Sequence, residues 1–328
     1  MLGLTSDACG TSAASPARAT PPAHAAGSTA SPKSSGVADV AYAGSLELLD
    51  EKVIGPAFSR ATGASYEGRG GGSIGLANEI ADGEITPNVF ESIGARPIEM
   101  LEPKHTSWYV QLAASPLVVA YNPSSPYAPA LRAIAEGREP LSRLFSVMGS
   151  PGFLLGRTNP GTDPQGQAFY EMVELARSEL HLPADTIAKV LGSVDNPSEV
   201  FAETALDSRL EAGELDAASA FMSQAVQLHL PYVALPSSID FGDPALAPSY
   251  AKASVELSGN VRVHGVPLVV DATTIGRDDE RAADAFVSYL LSDAGRSAFR
   301  RDGYEVLTPK LFGDLRNVPP SVRRAVGG

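Results

Sequence analysis

From Val37 onward, short apolar runs alternate with longer stretches in which apolar residues recur at helical spacing. The run over 37–42 predicts a buried strand. The stretch 45–61 predicts a helix with Leu46, Leu48, Leu49, Val53 and Phe58 on one face. Further helices are expected at 73–81, 165–180, 205–212, 223–228, 280–291 and 294–301. Strands are expected at 88–93, 109–112, 117–121, 153–155, 217–221, 232–235, 254–257, 261–263 and 268–270. Strands that alternate with helices argue for an α/β chain with largely parallel sheets, arranged as two lobes. A length of 328 residues suits about two domains with cores that need no staples.

The segment before this pattern behaves differently. Between Gly10 and Gly36 only Arg18, His24 and Lys33 interrupt a run of Ala, Ser, Thr, Pro and Gly. Such a composition cannot bury enough apolar surface to offset its ordering entropy, so this run is expected to form a disordered tether. Near the segment's start stands Cys9, the one cysteine of the chain, between Ala8 and Gly10. A cysteine so placed ahead of a flexible tether resembles a bacterial lipoprotein attachment site, which makes residues 1–36 as a whole a lipoprotein-like N-terminus with its linker. That resemblance implies a lipid on Cys9 and a domain held off the outer face of the cell membrane.

Composition removes several function classes. A single cysteine excludes an internal disulfide framework and any cysteine-rich metal site. No apolar run approaches the roughly 18 residues that suggest a membrane-spanning helix. Acids outnumber bases 38 to 25, for a formal charge of −13, which disfavours nucleic acid and anionic lipid as partners. Membrane contact is therefore expected only through a lipid anchor, and nucleic acid is not expected as a partner.

Two strand-to-helix junctions carry a small-residue turn ending in serine: Ala43-Gly44-Ser45 and Gly70-Gly71-Gly72-Ser73. Glycine lets the backbone approach a ligand, and the helix that follows offers unpaired N–H groups at the positive end of its dipole. With a serine hydroxyl added, such a junction suits an oxyanion without any Lys or Arg. A serine at a helix start also reads simply as a cap. The second junction satisfies both the dinucleotide-type G-x-G-x-x-G (Gly70, Gly72, Gly75) and the hydrolase-type G-x-S-x-G around Ser73. Both motifs need a buried apolar strand upstream, whereas Ala64-Ser65-Tyr66-Glu67-Gly68-Arg69 is short and polar. His24, His105, His181, His229 and His264 include no metal-ligand pair at helical spacing. A serine hydrolase using Ser73, with Asp163 and His229 or His264, remains as the reading from another class.

Two carboxylates stand at helix starts. Asp163, followed by Pro164, carries the N-cap signature of the 165–180 helix. Glu203 precedes the 205–212 helix, where an acid complements the dipole. Taken alone, both positions are read as structural, helix-capping residues rather than functional ones.

Together with their surroundings they carry a resemblance. Ala43-Gly44-Ser45, Gly71-Gly72-Ser73, Asn88 to Phe90, Trp108-Tyr109, the run from Asn159 to Gly166, Glu203-Thr204, the run from Glu211 to Asp216, Ser223 with Ala225, and the run from Tyr232 to Pro236 resemble the archaeal-type molybdate/tungstate-binding proteins of ABC transporters. The resemblance implies a type II periplasmic-binding fold: an α/β chain of two lobes with an interlobe cleft, lobe 1 at 37–119 plus 265–312 and lobe 2 at 120–264, then a C-terminal tail at 313–328. It implies an oxyanion held by Ser45, Ser73, Asp163 and Glu203, with Asp163 and Glu203 also bonding its Mo or W centre. It further implies an ABC permease as partner, a monomer, no cofactor and no catalysis. The chain departs from the family at Phe221, where a tyrosine is expected near the anion, and at Gln165, where a cysteine is common. Phe221 keeps open a diverged protein for another anion.

Overall fold

A computed structural model describes residues 36–276 and 280–327. In chain order its strands are β1 (Val37–Ala43), β2 (Ser65–Gly71), β3 (Val89–Ile93), β4 (Trp108–Ala114), β5 (Leu117–Tyr121), β6 (Leu155–Thr158) and β7 (Val200–Phe201). These are followed by β8 (Ala217–Phe221), β9 (Tyr232–Ala234), β10 (Ser254–Leu257), β11 (Val261–His264), β12 (Val269–Thr274) and β13 (Glu305–Gly313). One lobe is built on the sheet β13-β4-β12-β3-β1-β2 and the other on β7-β6-β8-β5-β9.

The sheets are mixed, which corrects the expectation of largely parallel ones. β1 runs parallel to β2 and β3, but β12 is antiparallel to both β3 and β4, and β13 is antiparallel to β4. In the second sheet β6 is parallel to β7 and β8, whereas β5 is antiparallel to β8 and β9. The cause lies in the connections. Parallel neighbours need a helical crossover. β4 instead leads through Ser115 and Pro116 straight into β5, and the chain returns from the other lobe as β12. Both crossing segments bond the same stretch of the second lobe: Leu117 N–H donates to Asp240 O at 2.8 Å, and Leu268 N–H to Phe241 O at 2.7 Å.

Both edge strands of the first sheet escape the sequence pattern. β2, the segment read as a short polar approach, pairs with β1 over its whole length, yet most of its residues are exposed or half-buried. β13 is similar. An edge strand needs no continuous apolar face, and charged residues there discourage further pairing. Beyond β13, where the sequence predicts only a tail, Pro320–Gly327 forms a helix packed on the Glu280–Leu291 helix, with Val322 buried.

The helical stretch 44–62 is not one regular helix. A 3₁₀ turn (Gly44–Leu46) leads into Glu47–Leu49, a π-helical segment (Asp50–Ile54) and then Gly55–Thr62. The wider π turn shifts the apolar register. Leu46, Leu49, Ile54 and Phe58 are fully buried, while Leu48 and Val53, predicted on the same face, are only half-buried. In the second lobe the long Pro164–Glu179 helix anchors the core through Phe169, Met172, Val173 and Ala176. Among the described residues no helix is long and apolar enough to cross a membrane.

Candidate functional site

β1 ends at Ala43, whose extended backbone turns directly into the 3₁₀ turn that carries Ser45. Ser45 is buried, its carbonyl accepts from the Tyr304 hydroxyl at 2.9 Å, and its own Oγ has no hydrogen-bond partner. β2 ends at Gly71, and the Ser73–Asp82 helix starts two residues later. Ser73 Oγ accepts the Ile93 N–H at 3.1 Å, which leaves the hydroxyl hydrogen available to a further acceptor.

From the other lobe, β6 runs into a loop wound around Asn159. The N–H groups of Thr162 and Asp163 donate to Asn159 O at 3.1 and 2.9 Å, and Gly161 N–H donates to Asn159 Oδ1 at 2.8 Å. Asp163 then caps the Pro164–Glu179 helix as its sequence predicts, with Oδ1 accepting the Gln165 N–H at 2.7 Å. Its Oδ2 has no partner and is buried. Glu203 is the first residue of the Glu203–Glu211 helix and is buried against the Ser45 turn. A Cβ at Gly44 would stand 2.6 Å from Glu203 Oε2. Behind this helix, the fully buried Arg157 steadies the approach. Its guanidinium donates to Glu199 Oε2 at 3.1 Å and to Ser193 O at 2.8 Å, and its N–H to Glu199 O at 2.8 Å.

Ser45, Asp163 and Glu203 thus share one place between the lobes, with Ser73 at its edge. Burial pushes the Asp163 carboxyl up, against the pull of the Gln165 N–H. Burial pushes Glu203 up further, and the neighbouring Asp163 charge adds to it, while the Ser45 backbone N–H acts the other way. The two carboxyls face each other closely enough for each to bias the other's proton. Another buried acid pair, Asp50 with Glu91, lies inside the first lobe. No hydrogen-bond donor of normal geometry reaches its four oxygens.

The serine-ended junction before Ser73 is used differently from the sequence expectation. The N–H groups of Ile74 and Gly75 donate to the Thr162 carbonyl of the opposite lobe, at 3.1 and 3.0 Å. The helix end is thus capped across the cleft, and Ser73 is left as its contribution to the site. Gly72 makes the approach possible, because a Cβ there would stand 2.6 Å from Thr162 O. On the other side, Gln227 Nε2 donates to Asp302 O at 3.1 Å. Tyr304, missed in the sequence, brings a buried phenol between Ser45 and Ser223, and burial holds its pKa well above the usual tyrosine value. Its separation from Ser45 by 259 positions leaves no local signal. Phe221, at the end of β8, is buried. Cys9 lies outside the described residues.

With this geometry in place, likeness to known proteins can be weighed. A Haloferax volcanii protein named for molybdenum binding in an ABC transporter is 31% identical over 281 residues, covering 85% of this chain and 84% of its own. The molybdate/tungstate-binding protein of Pyrococcus abyssi is 26% identical over 253 residues, covering 70% of each chain. Among solved structures, the periplasmic molybdate-binding protein of Azotobacter vinelandii aligns at TM-score 0.52 and 17% identity, over 83% of this chain and 98% of its own. The sulfate-binding protein of Mycobacterium tuberculosis aligns at TM-score 0.51 and 12% identity, over 90% and 96%. At those identities the structural matches establish the two-lobed binding-protein fold and no more. The family described as bacterial extracellular solute-binding protein matches residues 38–305, and the chain belongs to it.

Proposed function

We propose that the protein captures molybdate or tungstate between its lobes, through Ser45, Ser73, Asp163 and Glu203, and delivers it to an ABC permease. The observation that carries this reading is the pairing of two buried carboxyls, from separate elements, beside a buried serine hydroxyl that has no partner. An ionised carboxylate repels sulfate or phosphate, whose central atoms accept no further oxygen. A hard, high-valent Mo or W centre accepts hard oxygen ligands. Asp163 Oδ2 and the Glu203 carboxyl would then complete the coordination of the metal, while Ser45 and Ser73 hydrogen-bond the oxyanion's own oxygens. The names of the Haloferax and Pyrococcus relatives support the same ligand class.

A hydrolytic role for Ser73 finds less support. Its hydroxyl accepts a backbone N–H, a group that cannot take a proton from a nucleophile. The deciding experiment is a thermal-shift and calorimetric panel of tungstate, molybdate, sulfate and phosphate. At 100 times its dissociation constant a true ligand stabilises by about 2.7 kcal/mol. Molybdate and tungstate should raise Tm strongly and sulfate little; equal shifts would defeat carboxylate coordination. Anchoring through Cys9 is proposed on its sequence setting, and is tested by incorporation of labelled palmitate that Cys9→Ser abolishes.

A further inference from the structure

The two candidate carboxylates sit on separate helices, and polar side chains join those helices from behind. Ser219 Oγ on β8 donates to Gln165 Oε1 at 2.7 Å. Gln165 Nε2 donates to Gln224 Oε1 at 3.2 Å, and Gln224 Nε2 donates to Asp207 Oδ2 at 3.3 Å. At one end, the Gln165 N–H is the donor that holds Asp163 Oδ1. At the other, Asp207 lies one turn beyond Glu203 on the same helix.

The direction of the chain is fixed by its acceptors. Gln224 Oε1 also receives the Phe221 N–H at 2.9 Å, so the Gln224 amide must turn its NH₂ towards Asp207. An accepting oxygen on Gln224 in turn requires Gln165 to present Nε2, which leaves Gln165 Oε1 for Ser219. Every donor therefore points the same way, and the series ends on a carboxylate, an arrangement in which successive hydrogen bonds strengthen one another. Ser219, Gln165 and Gln224 are buried, where breaking one link leaves the next group unpaired. Apolar side chains could fill this space without desolvating amides. What the polar chain adds is a fixed spacing and facing of two helix starts.

We infer that Gln165 and Gln224 are positioning residues that set Asp163 and Glu203 at the separation from which both carboxylates reach one metal centre. The inference rests on the coordination proposed above. Tungsten L-edge absorption counts the oxygens around bound tungstate, and titration calorimetry gives its affinity. The parent protein is expected to hold tungsten six-coordinate. In Gln224→Leu the affinity should fall roughly 10- to 100-fold, the range typical for groups that orient metal ligands, and tungsten should revert to four oxygens. Asp207→Ala, at the half-exposed end of the chain, tests the same link where folding is not at risk and should move both readouts the same way. Asp207→Asn retains an oxygen to accept from Gln224 and should recover most of that loss. If Gln224→Leu and Asp207→Ala both keep six oxygens at parental affinity, the positioning role is overturned and the coordination stands. If the parent itself holds tungstate with four oxygens, the coordination falls, and the positioning role with it.

Discussion

Two pairs of buried acids, Asp163 with Glu203 and Asp50 with Glu91, look alike by exposure and differ in everything around them. All four carboxyls are raised, chiefly by burial. The cleft pair stands at helix starts, where backbone N–H groups of Gln165 and Ser45 meet the carboxyls and an amide chain braces their helices. The core pair stands in a π turn and in the middle of β3, where backbone donors are already committed to their own ladders. Burial alone makes an acid weak. Oriented donors give a carboxylate a settled geometry, and that geometry separates the candidate ligands from acids buried without donors.

The sharpest way to break the comparison is to neutralise each pair. Asp163→Asn and Glu203→Gln should each weaken tungstate binding roughly 100-fold, or about 2.7 kcal/mol. Stability should change little, because asparagine still caps a helix. Asp50→Asn and Glu91→Gln should leave tungstate affinity within about twofold by calorimetry. Equal losses from both pairs would end the distinction.

Gly72→Ala should come next. A methyl group against Thr162 O removes two interlobe hydrogen bonds worth about 1 kcal/mol each, so tungstate affinity should drop by up to roughly 30-fold. Gly75→Ala keeps its N–H, and its Cβ would meet Thr162 only at 3.6 Å. It should lose far less.

The core pair should show itself in stability against pH. Because Asp50 and Glu91 hold protons more tightly in the folded chain than in the unfolded one, folding takes up protons above the usual carboxylate range. Stability is therefore fullest at mildly acidic pH and declines as pH rises. Between pH 6 and 8 the parent Tm should fall by at least roughly 5 °C, and Glu91→Gln should remove the core pair's share of that slope in calorimetric scans, leaving the share of Asp163, Glu203 and the other buried acids Glu171 and Asp271. The smallest effect is expected for Ser73→Ala, a few-fold loss of tungstate affinity for one neutral hydrogen bond of about 1 kcal/mol. A fluorophosphonate probe should leave Ser73 unlabelled in the parent.

How much of this was legible in the sequence follows from where each piece gets its signal. β1, β3 and β5 are short apolar runs, and the cap at Asp163-Pro164 is a local signature, so both could be read directly. β2 and β13 could not, because edge strands carry Glu67, Arg69, Lys310 and several glycines where a central strand would carry valine or leucine. The π turn was hidden because one extra residue per turn leaves composition unchanged. Of the proposed site, Ser45, Ser73, Asp163 and Glu203 announce themselves as helix starts. Tyr304, Gln224 and the Thr162 carbonyl act across distances in sequence that no local pattern records. A carbonyl has no side-chain letter at all.

That carbonyl has a mechanical consequence. Thr162 and Asp163 are neighbours on one tight loop, so the contact that fastens the lobes and the group proposed to grip the cargo cannot move apart from one another. Any force that pries the 159–163 loop from the end of the Ser73–Asp82 helix withdraws Asp163 in the same stroke. On the proposed coordination, unloading needs no separate trigger at the metal: a cargo held through Asp163 is let go as soon as that loop swings away.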